Sequence, residues 1–210
     1  MKRIFRRIRA QRNATRSAPG PAWRSAPHPL RFLVAPFLCV ALMAQSGGGP
    51  QYTKESKLVL PADYREWVFL TSGLGMTYAQ NPQPNANPFF DNVFVNPAAY
   101  KLFLKSGTWP DKTVLVLEMR ASQTKLSINK DGRVQTDGGV GEIHVKDASR
   151  GGWAFYEFAK GAKEGTLIPK TENCYSCHEQ NAAVDTTFVQ FYPTLIEVAK
   201  SKGTFKNGEK

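Results

Sequence analysis

The sequence predicts an α+β domain whose main element is an antiparallel β-sheet flanked by short helices. Strand-like segments in the middle of the chain are joined by turns rather than by long helices, which is typical of antiparallel sheets. The 210 residues contain 41% apolar and 11% aromatic residues, enough for one globular domain with its own core. The order of the remaining elements follows from local patterns along the chain.

The clearest strand is predicted at residues 113–122, where apolar and charged side chains alternate. Because successive side chains of a strand point to opposite faces, Leu117 and Met119 share one face, and Glu118 and Arg120 share the other. We therefore expect this strand to have one apolar face and one charged face.

The clearest helix is predicted at residues 97–106, since Asn96 and Pro97 suit its start and Gly107 suits its end. The other predicted elements are helices at 61–67, 185–192 and 193–200, strands at 68–71, 91–95, 142–146 and 153–158, a hairpin turn at 130–132 and a glycine-rich joint at 138–141.

The positive charge of the chain is concentrated at its N-terminus. The net charge is +11, but residues 1–44 contain nine of the 28 basic residues and none of the 17 acidic ones. The rest of the chain therefore carries 19 basic and 17 acidic residues and is nearly neutral. A nearly neutral domain lacks the basic surface of a nucleic-acid-binding protein, so we predict no nucleic-acid partner.

The basic leader is followed by an apolar run at residues 32–43 and then by the sequence AQSGGGP. Twelve apolar residues are too few for a stable transmembrane helix but suit the core of a signal peptide. Residues 1–46 are therefore predicted to be a signal peptide with a long basic leader, which sends the single domain at 47–210 to the periplasm. An uncleaved N-terminal membrane anchor is the alternative.

The cysteines predict a covalently bound cofactor. Cys39 lies in the apolar run, so only Cys174 and Cys177 remain after cleavage, and His178 follows them directly. Cys-x-x-Cys-His is the c-type haem attachment pattern: two thiols attach to the ring and the histidine binds the iron. We predict one haem c on a helix that starts near Thr171. A zinc site, a redox-active dithiol and a structural disulfide are the alternatives considered.

The late position of the motif narrows the type of cytochrome. Only 32 residues follow His178, and none of them is methionine or histidine. A sixth iron ligand would have to come from upstream, where Met76, Met119 and His144 are the candidates. An iron with an open sixth position is the other possibility.

Five segments carry a family resemblance, and they occur in the order LPADYREWVFL, DNVFVNPAAYKLFLKSGTWPDKTVLVLE, GEIHVKD, GGWAFYEF and ENCYSCHEQNAAVDTTFVQFYP. Together they resemble the cytochrome P-460 superfamily, which includes hydroxylamine-oxidising cytochromes P-460 and nitric-oxide-binding cytochromes c'-beta. The resemblance covers residues 58–193. It implies a largely antiparallel β domain, usually dimeric, with a five-coordinate haem whose distal side is open.

The resemblance also assigns residues to the haem pocket. Leu117 occupies the position of the lysine that cross-links to the haem in hydroxylamine-oxidising members, so we predict no cross-link. Glu142 occupies the position of a distal carboxylate, and Asp91 that of a distal arginine. We expect burial to raise the pKa of Glu142 above its usual value of about 4.3. Because Glu142 and His144 are two residues apart on one predicted strand, they share a face, and exposure of that face to solvent is the alternative.

The sequence thus predicts an exported mono-haem cytochrome with a small gaseous or nitrogenous ligand. In this interpretation the protein binds nitric oxide or acts as a haem oxidoreductase on compounds such as hydroxylamine, with Glu142 moving protons. A redox partner protein and a homodimer are expected. The alternative is a six-coordinate electron-transfer cytochrome c in which His144 or a methionine completes the iron coordination.

Overall fold

The computed structural model of the chain describes residues 49–206. The predicted signal peptide at 1–46 lies outside the described residues. None of the helices in the described part of the chain is both long and apolar enough to cross a membrane.

Seven antiparallel strands form a single sheet, which confirms the predicted α+β class. The strands are β1 (Leu58–Val59), β2 (Val68–Leu74), β3 (Phe90–Val95), β4 (Thr113–Gln123), β5 (Val134–Asp147), β6 (Gly152–Glu157) and β7 (Glu164–Leu167). Their order across the sheet is β1-β7-β6-β5-β4-β3-β2. From β2 to β7 each strand therefore pairs with the strand that follows it in the chain.

Within residues 49–206, three α-helices accompany the sheet, α1 (Pro97–Ser106), α2 (Asn173–Asn181) and α3 (Pro193–Ser201). The first begins and ends where the sequence predicts, and Gly107 closes it in the left-handed region with φ of 75°. Two predicted helices are shorter than expected: only the 3₁₀ turns Tyr64–Glu66 and Val189–Phe191 form within them.

Asn96 stands at the N-cap position of α1 but makes no capping hydrogen bond. Its side-chain oxygen accepts a hydrogen bond from the backbone N–H of Val114 at 2.9 Å, and its amide donates to the carbonyl of Lys112 at 3.2 Å. The side chain thus ties the start of α1 to the start of β4, in place of capping the helix.

The glycine-rich joint predicted at 138–141 lies inside the long strand β5. Leu117 of β4 faces Glu142, whereas the next residue, Glu118, faces Val140, so Gly141 is the extra residue of a β-bulge. A β-carbon on Gly141 would stand 3.0 Å from the sulfur of Met119, and glycine therefore allows this close approach. The bulge fixes the register that sets Leu117 beside Glu142.

Both faces of the sheet are covered, and each has its own apolar core. On one face, α1 and α3 pack on the sheet with a core that includes Phe103, Trp109, Leu115, Val189 and Leu195. On the other face, the core includes Trp67, Val116, Ile143, Val145 and Tyr156. Burial on both faces explains why much of β4 is apolar without interruption.

Glu118, on the charged face predicted for β4, is buried, and its side chain is 4% exposed. The 3₁₀ turn at Tyr64–Glu66 covers this position, and Tyr64 donates a hydrogen bond to the carboxylate at 2.8 Å. Arg65 and Arg120 form ion pairs with the same carboxylate. A charged residue is tolerated here because each of its buried lone pairs can find a donor.

Candidate functional site

The Cys-x-x-Cys-His motif lies on α2, as the sequence predicts. Cys174, Cys177 and His178 are spaced three and four residues apart, so they share one face of the helix. Both cysteines are free thiols and are partly buried. The helix begins at Asn173, and neither Thr171 nor the N-cap residue Glu172 makes a side-chain capping bond there.

The imidazole of His178 is held by a backbone carbonyl. Its Nδ1 lies 2.8 Å from the carbonyl oxygen of Thr186, so Nδ1 carries the proton and Nε2 is left free for a metal. Burial, with a smaller contribution from His144, lowers the pKa of His178 to about 4. The ring is therefore neutral at pH 7, which is the form that binds iron.

The loop that supplies this carbonyl has an unusual backbone. Asp185 and Thr186 both lie in the left-handed region, with φ of 47° and 61°. Such a conformation costs of order 1–3 kcal/mol for each non-glycine residue and persists only when neighbours hold it. Lys146 of β5 holds it through an ion pair with Asp185, while the same ammonium donates to the carbonyl of Trp109 at 2.8 Å.

Aromatic rings pack around His178 and restrict its rotation. His144 stacks on Phe155 at 3.8 Å between ring centroids, and Phe155 stacks in turn on Tyr175 at 4.2 Å. The His178 ring meets the edge of His144 at 4.8 Å and lies 4.4 Å from Phe188. Together with the Thr186 hydrogen bond, these contacts fix the orientation of the imidazole.

A cavity of about 360 Å³ opens beside His178. Its floor is the sheet, where Val93, Leu117 and Glu142 form one row across β3, β4 and β5. The same face carries the row of Leu115 and His144 on one side. On the other side it carries the row of Asp91 and Met119.

The structure therefore brings the predicted site residues Leu117, Glu142 and His178 to one cavity. The three candidates for a sixth ligand, Met76, Met119 and His144, line the same cavity. Cys174 lies in a separate groove with Glu157, Ile168, Pro169, Glu172 and Asn173. The motif thus presents its histidine to the cavity and one thiol to a neighbouring groove.

Glu142 is paired with a neighbour on its own strand. Its Oε2 lies 3.1 Å from Nε2 of His144, and the two side chains are 38% and 15% exposed. This hydrogen bond lowers the pKa of Glu142, and burial opposes the change without reversing it. The expected rise in pKa is wrong because residues two apart on a strand share a face, which brings the imidazole within reach.

Asp91 is a second carboxylate on the cavity. The residue is half-buried, and burial raises the pKa of its side chain. The sequence resemblance placed it only as the counterpart of an arginine, so its role as a carboxylate was missed. Its alternation with Val93 on β3 is the signal that puts both side chains on the cavity face.

The family model described as Cytochrome P460 matches residues 61–189, more than half of the chain. The chain belongs to the cytochrome P460 family. Family membership implies that the protein is a cytochrome with a haem cofactor. No significant match to a curated protein was found.

The residues present in this cytochrome P460 family member fit such a cofactor. Two free thiols lie one helical turn apart, and the adjacent His178 is neutral with Nε2 unpaired. The cavity next to it is lined mainly by apolar side chains, among them Val93, Leu115 and Leu117. Apolar walls with a few polar groups are typical of cofactor sites.

Proposed function

We propose that this protein is an exported c-type cytochrome whose single haem has an open distal side, which binds nitric oxide or oxidises small nitrogen compounds such as hydroxylamine. The observation that carries the proposal is the floor of the cavity. Its central row holds Val93 and Leu117, which have no atom that can ligate iron, and Glu142, whose Oε2 is engaged in a hydrogen bond with His144.

Three residues of α2 would hold the haem. Cys174 and Cys177 would supply the thiols for covalent attachment of the haem, and Nε2 of His178 would bind its iron. When bound, haem supplies a redox-active iron that can bind a small ligand and exchange electrons. The hydrogen bond from His178 to the Thr186 carbonyl keeps the ligand in one tautomer and makes it a stronger donor.

Glu142 is the residue placed to handle protons. Its lowered pKa keeps the carboxylate ionised at neutral pH, so it can accept a proton from a nitrogen substrate in the cavity. His144, hydrogen-bonded to that carboxylate, is the next group along a path for the proton. Leu117, in the same row as Glu142, supplies an apolar wall beside the pair.

The second candidate function is a six-coordinate electron carrier. His144 fits poorly as a second protein ligand, because an iron atom bound between two imidazoles would hold their rings further apart than the rings of His144 and His178 lie. Its ring centroid is 4.8 Å from that of His178, and its Nε2 is engaged by Glu142. The thioethers of Met76 and Met119, which line the cavity, are the observation that keeps this candidate open.

The cellular setting belongs to the same proposal. The leader at 1–46 supports export to the periplasm, and oxidation of a substrate requires a redox partner protein that removes the electrons. The family resemblance supports a homodimer. Gel filtration of the mature protein tests the dimer, and N-terminal sequencing of the protein recovered from the periplasm tests cleavage near residue 46.

Visible absorption spectra of the oxidised and reduced protein test the proposed function. An open distal side gives high-spin spectra and rapid binding of carbon monoxide or nitric oxide to the reduced protein. The variant His144→Ala should leave the spectra nearly unchanged, as should Met76→Leu and Met119→Leu. A low-spin spectrum that becomes high-spin in one of these variants would instead identify the sixth ligand and establish the electron carrier.

A further inference from the structure

The charge of the cavity is unbalanced. Two of its lining residues, Asp91 and Glu142, carry carboxylates, and among the described residues that line it there is neither lysine nor arginine. The remaining titratable side chains there are those of Tyr78, Tyr192 and the two histidines. A cavity with this lining is electronegative when its carboxylates are ionised.

The two carboxylates have different surroundings. Glu142 shares a hydrogen bond with His144, whereas the carboxylate of Asp91 has no hydrogen-bond or ion-pair partner among residues 49–206. Its neighbours in the sheet are Gly73 on β2 and Met119 on β4, and neither carries charge. The field of Asp91 therefore acts on the cavity without a nearby cation to cancel it.

The position of Asp91 matters for any ligand in the cavity. Asp91 lies on β3 and Glu142 on β5, two strands apart, so a ligand above Leu117 has one carboxylate on either side. Partial burial of Asp91 strengthens its electrostatic effect on a ligand, because charges on a half-buried surface are screened less than charges in open water.

We propose that Asp91 makes the cavity selective against anions, so that its ligands and substrates are small neutral or cationic molecules. The proposal deepens the proposed function and rests on it. It assigns to Asp91 a role in specificity that is separate from the proton transfer assigned to Glu142. Anions such as nitrite would be disfavoured in such a cavity, whereas neutral hydroxylamine or nitric oxide would enter it.

The size of the effect follows from Coulomb's law. A unit charge about 10 Å from an anionic ligand, at an effective dielectric constant of about 20, changes the affinity about tenfold. The affinity for neutral carbon monoxide should be almost unaffected by this charge. The ratio of the two affinities therefore isolates charge from the size of the cavity.

The experiment measures azide binding to the oxidised protein and carbon monoxide binding to the reduced protein by spectral titration. Asp91→Asn keeps the shape and removes the charge, and Asp91→Lys reverses it. We expect azide to bind about tenfold more tightly in Asp91→Asn and still more tightly in Asp91→Lys. Carbon monoxide affinity should change by less than twofold in Asp91→Asn.

The matched control is Asp131→Asn, which removes the same charge from an exposed turn away from the cavity and leaves the azide affinity unaltered. Equal azide affinity in wild type and Asp91→Asn, with normal carbon monoxide binding, would overturn the role of Asp91 and leave the open distal site standing. Failure of the wild-type protein to bind either ligand would overturn both proposals.

Discussion

The Nδ1 atom of His178 lies 2.8 Å from the carbonyl oxygen of Thr186, and this contact joins α2 to a loop with a left-handed backbone. The ion pair between Asp185 of this loop and Lys146 of β5 anchors the loop to the sheet. The orientation of the histidine in the Cys-x-x-Cys-His motif thus depends on a residue of the sheet that never touches it.

The first prediction concerns this support. Replacing Asp185 by alanine releases Lys146 and loosens the loop that carries the Thr186 carbonyl. A weaker hydrogen bond makes His178 a poorer donor and favours reduced iron in the haem-loaded protein. If the lost orientation is worth about 1 kcal/mol, the midpoint potential rises by about 40 mV. A potentiometric titration followed by visible absorption measures the change.

Asp137→Ala is the matched control for this measurement. Asp137 also pairs with a lysine, Lys160, but both side chains are about three-quarters exposed and the pair lies on the surface. The control should leave the potential where it is. An unchanged potential in Asp185→Ala as well would show that the loop keeps its shape without the ion pair.

The second prediction is that Cys174 and Cys177 hold haem covalently. Haem should stay with the polypeptide on acid-acetone extraction, and the reduced pyridine complex should show the spectrum of a c-type haem with two thioether bonds. Replacing one cysteine by alanine leaves a single thioether and shifts that spectrum. Free haem recovered from the wild-type protein in the organic layer would rule out covalent attachment.

The third prediction follows from Leu117, whose aliphatic side chain lines the cavity and cannot bond to the haem ring. The intact mass should equal that of the polypeptide plus one haem, with no further loss of hydrogen. The reduced protein should also lack the strongly red-shifted Soret band of the lysine-linked enzymes. Observation of that band would mean that a lysine elsewhere in the chain forms the cross-link.

Local patterns predicted much of the fold. The helix α1 could be predicted from the residues at its two ends, and the strand β4 from the alternation of its apolar and charged residues. Both signals are local in the sequence. The left-handed loop at Asp185 and the bulge at Gly141 could not be found this way, because both depend on contacts with residues that are distant in the sequence. The buried position of Glu118 was missed for the same reason, since Tyr64 in the turn that covers it comes 54 residues earlier.

Much of the candidate site was also readable from the sequence. The spacing of Cys174, Cys177 and His178 is a local feature and predicts their chemistry directly. The pairing of Glu142 with His144, in contrast, reverses the expected direction of the Glu142 pKa, because a neighbouring hydrogen bond outweighs burial. Which of these two opposing effects wins depends on side-chain positions, and the sequence pattern does not specify them.

The fourth prediction separates chemistry from ligand binding at Glu142. Glu142→Gln keeps the shape of the side chain and removes the base, so any hydroxylamine-dependent reduction of an added electron acceptor should fall at least a hundredfold. Binding of nitric oxide to the reduced protein should persist. Glu164→Gln, at a half-exposed position of β7 that lines neither the cavity nor the Cys174 groove, is the control and should retain turnover. Equal turnover in Glu142→Gln and wild type would exclude a proton-transfer role.

The last prediction concerns acid stability and the buried carboxylate of Glu118. Burial alone would raise the pKa of Glu118, but hydrogen bonds from Arg65 and Tyr64 outweigh it, and the pKa is lowered. The unfolded chain therefore binds a proton at higher pH than the folded protein does. The stability that Glu118 contributes is present above its unfolded pKa of about 4.3 and is lost as the pH falls through the folded pKa.

Tyr64→Phe removes one donor to this buried charge and should lower the free energy of unfolding at pH 7 by about 1.5–3 kcal/mol. Glu118→Gln should flatten the loss of stability below pH 4.5, since the mutant has no proton to take up at that position. Urea unfolding between pH 3 and 7 measures both effects. Glu197→Gln, at an exposed position that pairs with Lys200, is the control and should keep the wild-type slope. The same acid slope in Glu118→Gln and wild type would assign the pH dependence to other carboxylates. The first of these to test is Asp147, whose pKa is lowered to about 2 despite its burial.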